Sequence, residues 1–218
     1  MTNIVPRWEK ATNELINKLE NKGIDFNKFS AIELFGRDGS WQTKLFGEKV
    51  NKLEVWEINK KFEKELRKNI PKSKIKIIDS IKALQENKKF QLFDLILIDN
   101  PNNTYGNNDD ILTSEKYCEH FDILGNIGKL INTEALVIFN VNRNPFNYSK
   151  FPDWKKRREI FYGIKNTENI TIEKLLIFYE KFFKKIGFET IFHVNVIRVY
   201  VEGNDTNHYF AFQIKKIN

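Results

Sequence analysis

Residues 31–41 read Ala31-Ile32-Glu33-Leu34-Phe35-Gly36-Arg37-Asp38-Gly39-Ser40-Trp41. A strand-length apolar run closes on an acid, two glycines three apart follow, and a helix start comes next. Glycine lets the backbone turn sharply and lets a ligand come close. In open α/β sheets ligands sit at the carboxyl ends of strands, beside the point where strand order reverses. The loop is therefore placed to hold something. It does not match the dinucleotide fingerprint Gly-x-Gly-x-x-Gly, because only two of the three glycines are there, and no Gly-Lys-Ser/Thr follows to make a phosphate loop.

Outward from this stretch, strand-length runs recur at 30–35, 52–58, 74–78, 93–98 and 135–141. Leu95-Ile96-Leu97-Ile98 and Ala135-Leu136-Val137-Ile138-Phe139 are continuously apolar, which suits strands covered on both faces. The segments 60–69, 80–87 and 114–131 are the expected crossover helices, the first stopping before Pro71. This rhythm predicts a three-layer α/β domain with right-handed crossovers. Later, Thr171 is a good N-cap, and Ile172, Leu175, Leu176, Tyr179, Phe182, Phe183 and Ile186 form one helical stripe that Gly187 ends. Residues 188–201 and 208–217 read as two strands of an antiparallel hairpin around a turn-rich linker. An amphipathic helix over 7–22 leads the chain.

Composition sets the remaining bounds. With 218 residues the chain makes one generous domain, and 19 Phe, 7 Tyr and 4 Trp exclude a disordered tail protein. The first ten residues break into charge before a signal peptide forms, and no run of about 18 apolar residues exists to span a bilayer, so a cytoplasmic protein is expected. A lone Cys118 and three scattered His give neither a disulfide nor a zinc spacing, and no metal is expected. Cys118 and His120 are read as packing residues on a helix.

Two further acids close the next strands. Glu57 in Val55-Trp56-Glu57-Ile58-Asn59 can accept hydrogen bonds from both hydroxyls of a ribose, and Asp79-Ser80 can read an adenine amino group. With these residues the chain resembles the class I S-adenosylmethionine-dependent methyltransferases, over 30–142 chiefly. The resemblance implies a Rossmann-like fold: a seven-stranded, mostly parallel sheet of order 3-2-1-4-5-7-6 with a C-terminal antiparallel hairpin. It divides the single domain 1–218 into a leading helix at 7–22, a cofactor core at 30–142, an insert at 143–170, and a helix plus hairpin at 171–218. Glu33, Phe35, Gly36 and Gly39 would enclose the methionine part of S-adenosylmethionine. Glu57 with Ile58 would hold the ribose, and Asp79 with Ser80 the adenine. Asp99-Asn100-Pro101 would be the motif at the end of the fourth strand. Arg37 stands where the family commonly has a middle glycine. The run Asp99-Asn100-Pro101-Asn102 lacks the second proline and adjacent ring of amino-methylating enzymes.

The implied activity is methyl transfer by in-line displacement, for which alignment and charge stabilisation matter more than an acid-base pair. Asp99 or Asn100 would accept a hydrogen bond from an attacking N–H, Pro101 would stiffen the loop, and Tyr105 would stack on the acceptor. The insert sets Tyr148 and Trp154 beside Lys155-Lys156-Arg157-Arg158, and segment 143–186 carries eleven basic against five acidic residues. Rings beside cations suit single-stranded or flipped-out nucleic acid, so a nucleic acid is one expected acceptor and a small molecule the other. The competing reading is a catalytically silent subunit that keeps the fold as a binding module. The cofactor reading rests on Glu33, Glu57 and Asp79 facing one shared cavity.

Overall fold

The computed structural model describes residues 6–86, 88–99, 103–104, 117–143, 152–168, 170–201 and 204–217. Seven strands form one sheet: β1 (Ser30–Glu33), β2 (Lys52–Glu57), β3 (Lys74–Ile77), β4 (Leu95–Ile98), β5 (Glu134–Asn142), β6 (Phe188–Val201) and β7 (Asn204–Lys216). Their order is β3-β2-β1-β4-β5-β7-β6. The first five run parallel, while β7 pairs antiparallel with both β5 and β6. This is the expected sheet. The hairpin is longer than expected, because Asn204–Asn207 already pair with the neighbouring strands instead of forming the turn.

Helices cover both faces. α1 (Arg7–Glu20), α2 (Gln42–Lys49) and α3 (Glu63–Asn69) lie on one, with α1 against β6. On that side Ala31, Leu53, Val55, Leu95, Leu97, Leu136, Ile138, Val194, Val196 and Ala211 meet Leu15, Phe46 and Leu66 in one apolar layer. The opposite layer joins Ile32, Ile96, Ile98, Val137, Phe139, Phe210 and Phe212 to α4 (Ser80–Gln85), α5 (Phe121–Leu124) and α7 (Ile172–Lys185). Alternation along each strand explains the division, since neighbouring side chains leave opposite faces. Thr171 caps α7 as read, its Oγ1 accepting from Lys174 N–H at 3.3 Å.

The long helix expected over 114–131 is not formed. Tyr117–Cys118 pair as a two-residue strand with Asn103–Thr104, and the rest divides into α5 and a 3-10 turn at Ile127–Leu130. Gly125 and Gly128, each costly inside a helix, interrupt the run. His120 precedes α5 and is fully buried, its Nε2 at 2.6 Å from the Tyr179 hydroxyl. Among the described residues no helix is long and apolar enough to cross a membrane, and no cluster of His, Cys, Asp or Glu is fit to hold a metal.

Within 143–170 the sequence shows no clear period, yet α6 (Pro152–Tyr162) forms there, with Pro152 at its first position. Its hold on the domain is polar and buried. Arg158 Nη1 donates to both Glu119 oxygens at 2.6 and 2.7 Å, and its Nη2 donates to the Asn142 carbonyl at 2.8 Å. Trp154 Nε1 donates to the same carboxylate at 2.6 Å. Arg158 and Glu119 are both wholly enclosed, so each charge depends on the other. Glu119→Gln or Arg158→Met alone is expected to cost about 3–5 kcal/mol, because a buried charge is left uncompensated, and the double variant should cost clearly less. Urea unfolding midpoints of the four proteins measure this.

Candidate functional site

At the carboxyl ends of β1, β4 and β5, the face that carries α1 to α3 changes from apolar to polar. Stepping by two from the core residues Ala31, Leu97, Ile138 and Ala211 reaches Glu33, Asp99, Asn140 and Tyr209. Arg198 joins them from β6. There Ile197 pairs with His208 and Val199 with Asn207, which leaves Arg198 as the extra residue of a β-bulge. Bulges re-aim side chains. Arg198 Nη2 donates to Asp99 Oδ2 at 3.0 Å and Nη1 makes an ion-pair contact with Oδ1 at 2.9 Å, with both side chains nearly enclosed. The Tyr209 hydroxyl lies 3.5 Å from the same carboxylate. Gln42 lies beside both Glu33 and Asp99 and helps hold their carboxylates charged.

Two carboxylates and one guanidinium in this enclosure cannot all be comfortably charged. Burial first, and then the neighbouring Asp99 charge, push the Glu33 carboxyl up to about 8. Asp99 is also raised by burial, against the pull of Arg198, and burial with the Asp99 charge raises the Tyr209 hydroxyl. Several polar atoms here have no hydrogen-bond partner among the described residues: Glu33 Oε2, Gln42 Oε1, both Asn140 amide atoms and Arg198 Nε. Unpaired buried polar atoms are uncommon in native proteins and mark places where a ligand or water belongs.

A cavity of about 220 Å³ opens beside this cluster, lined by Phe35, Gly36, Arg37, Asp38, Trp41, Gln42, Thr43, Asp99 and Arg198. The loop that forms it is a tight turn, with Gly39 N–H donating to the Gly36 carbonyl at 2.9 Å. Arg37 has φ of +46° and Gly39 +69°, so the position where the resemblance places a middle glycine keeps a left-handed backbone although it carries arginine. Both glycines answer to the protein rather than to a ligand. A Cβ on Gly36 would lie 2.2 Å from Val55 Cγ1, and one on Gly39 3.0 Å from Leu66 Cδ2. Over the mouth, Trp41 stacks on Trp8 at 5.7 Å, and the guanidinium groups of Arg37 and Arg198 lie 5.3 and 5.6 Å from the Trp41 ring.

None of the three strand-end acids lines the cavity just described, and each carboxylate is engaged by backbone donors close to it. Glu33 is enclosed behind Gln42. Glu57 bends back beneath the loop, accepting Arg37 N–H and Asn59 N–H at 2.7 Å each. Asp79 caps α4 by accepting from Lys82 N–H at 3.0 Å, while the buried Ser80 hydroxyl donates to the Leu34 carbonyl and Ile58 is half-buried. Phe35, Gly36 and Asp99 do meet at the cavity. Asn100, Pro101, Tyr105 and Tyr148 lie outside the described residues.

The expected aromatic and basic platform is corrected as well. Trp154 and Arg158 are enclosed on Glu119 and closed to any acceptor, Arg157 pairs with Asp122, and Lys155 lies 3.4 Å from Glu159. Lys156 is exposed. Sequence reasoning missed Arg198, Gln42 and Tyr209. The signal was the two-residue step from Val194 and Val196 to Arg198, and from Ala211 to Tyr209.

No protein-family model matches the chain, and no curated protein sequence does. Solved structures do. The N-methyltransferase NodS of Bradyrhizobium japonicum WM9, in complex with S-adenosyl-L-homocysteine, aligns at a TM-score of 0.57 and 13% identity over 99% of this chain and 90% of its own. The magnesium protoporphyrin IX methyltransferase ChlM of Synechocystis PCC 6803, also with bound S-adenosylhomocysteine, aligns at 0.55 and 9% over 97% and 84%. A candidate RNA methyltransferase of Pyrococcus horikoshii aligns at 0.55 and 13% over 99% and 92%. The chain has the Rossmann-like fold of the class I methyltransferases.

The buried carboxyl gives a pH test. Folded Glu33 keeps its proton up to about 8, whereas the unfolded chain releases it near the ordinary carboxylate value. In that window the folded state binds more protons, so this contribution to stability is complete at low pH and is lost as pH rises toward 8, by at most about 1.4 kcal/mol per unit. Glu33→Gln should flatten the fall, and urea midpoints from pH 5 to 9 for both proteins check it.

Proposed function

We propose that this protein is an S-adenosylmethionine-dependent methyltransferase that acts on a small-molecule acceptor. The observation that carries the reading is the cavity lined by the Gly36–Thr43 loop, Asp99 and Arg198 at the reversal point of the sheet, between β1 and β4. Ligands of open α/β folds bind at such points. The cofactor's sulfonium would supply an electrophilic methyl group with a built-in leaving group.

The chain's own task is then to hold and to align. Glu57 is fixed by two backbone donors, and each of its oxygens keeps a further acceptor direction that a ribose hydroxyl can use. Asp79 keeps acceptor capacity beside its capping bond. Gly36 and Gly39 hold the loop against Val55, Leu66 and Ile70. Asp99 is paired with Arg198, whose Nη2 donates to Oδ2, while Asp99 Oδ1 has no hydrogen-bond partner among the described residues. A small acceptor is preferred to nucleic acid because Trp154 and Arg158 are spent on the fold, and Arg157 and Lys155 have carboxylate neighbours.

Isothermal titration with S-adenosylhomocysteine tests the reading. Roughly micromolar binding is expected, weakened at least about tenfold in Glu57→Gln, which loses charge-assisted bonds to the ribose. Thermal unfolding of the variant separates this from loss of the loop. No heat at millimolar ligand overturns the reading in favour of a silent module. Steeply salt-dependent binding of single-stranded RNA or DNA would overturn the choice of acceptor.

A further inference from the structure

A second cavity lies on the other side of the sheet. It measures about 270 Å³ and opens where the end of α6 meets the start of α7, between Tyr162, Ile164, Ile170, Leu175, Ile177 and Phe178. Tyr162, Ile170 and Leu175 belong to the apolar layer that faces away from Asp99. The walls are hydrocarbon and ring, yet they are open to water, with Ile177 45% and Ile164 41% exposed. One wall is fixed from behind. The Tyr162 hydroxyl lies 2.8 Å from that of Tyr179, which in turn lies 2.6 Å from His120 Nε2. A wall already ordered lowers the cost of binding against it.

The charges at its rim are all of one sign. Lys174 and Lys181 complete the lining, and with Ile177 and Phe178 they stand at i, i+3, i+4 and i+7 of α7, one stripe of that helix. Neither lysine has an acid three or four residues away, where a helical ion pair would form. Among the described residues neither ammonium has an ion pair or a hydrogen bond, and the nearby Glu180 lies 3.5 Å from His193 instead. Hydrocarbon between two unmatched cations is complementary to a molecule that is apolar in its body and negative at its end. A second copy of this chain does not fit that description, since its net charge of +7 would set lysine against lysine. A phosphate backbone would match the lysines and leave Ile164 and Ile177 in water.

We propose that the groove between α6 and α7 binds a small amphiphilic carboxylate, with its alkyl chain against Ile164, Ile170, Ile177 and Phe178 and its carboxylate on Lys174 and Lys181. The flexible four-carbon stem of lysine lets either ammonium swing over the chain end. At about 270 Å³ the cavity falls below the roughly 300 Å³ of sites that enclose a drug-sized ligand, so it takes one short chain and not a long acyl tail or a peptide helix. The site is independent of the methyltransferase reading, because it shares no lining residue with the cavity at Asp99. A ligand there bridges α6 to α7 and so joins the insert to the last helix.

Isothermal titration with octanoate, hexanoate and octylammonium tests the chain and the charge separately. Octanoate should bind one to one at about 1 mM or tighter, and at least about tenfold tighter than hexanoate, which lacks two methylenes. Octylammonium, with the same chain and the opposite charge, should bind at least about tenfold more weakly than octanoate. In the Lys174→Gln, Lys181→Gln double variant that ratio should fall to within about threefold of unity, and Ile177→Gln should weaken octanoate at least about fivefold. Thermal unfolding without ligand checks that these surface variants stay folded, and should Ile177→Gln be unstable the lysine variant decides. Equal binding of octanoate and octylammonium by the parent, or an undiminished ratio in the lysine variant, overturns the proposal. So does the lack of saturable octanoate binding up to about 10 mM, whether the groove then takes up anionic phospholipid vesicles or pairs two copies at sedimentation equilibrium.

Discussion

A charge removed from water must find a partner, and this molecule meets that constraint twice, once on each side of its sheet. On the side of α1 to α3, Asp99 is matched by Arg198; on the other, Glu119 is matched by Arg158. Each arginine comes from late in the chain, and each carboxylate lies just past the fourth strand or on the way to the fifth. The two pairs therefore tie the C-terminal additions, the hairpin and α6, to the tips of the parallel core. Replacing either pair with apolar groups could keep the fold as stable. What such pairs give is position, since a two-pronged guanidinium accepts few geometries.

The two pairs differ in what adjoins them. Around Glu119 the carboxylate receives Trp154 and Arg158 at close range, and Arg158 also reaches the Asn142 carbonyl. Around Asp99 a cavity adjoins the pair, and Arg198 Nε, Gln42 Oε1 and Glu33 Oε2 are unpartnered. Burial of Glu33 bears on this pair, because a carboxyl held neutral keeps a second negative charge away from Asp99 and Arg198.

How far the sequence could be read follows from the range over which its signals act. Strand runs such as Leu95–Ile98 and the stripe of α7 are local patterns, and the sheet follows from them once the crossover rule is applied. Glu57 and Asp79 were visible as strand-end acids, but the direction in which each carboxylate points is set by backbone donors at Arg37, Asn59 and Lys82, which no spacing reveals. The basic run Lys155–Arg158 misled for a related reason. Sequence proximity suggested a shared surface, whereas helix geometry turns Trp154 and Arg158, four residues apart, inward on one face.

Arg198 was the hardest residue to find because it keeps the two-residue step of Val194 and Val196 but puts a cation where that step calls for an apolar core residue. Without the extra residue, its place in the ladder would be an ordinary one against β7, and its side chain would be fixed by that pairing. The bulge frees the residue from the ladder and lets the guanidinium pass over Tyr209, 5.1 Å from that ring, to reach the end of β4. An arginine placed there has little room for alternatives, with Trp41 above and Tyr209 beneath. Deleting one residue at the bulge would therefore do more than shorten a strand. It would return position 198 to the ladder, strand Asp99 without its cation, and open the cavity wall, while leaving the five parallel strands as they are.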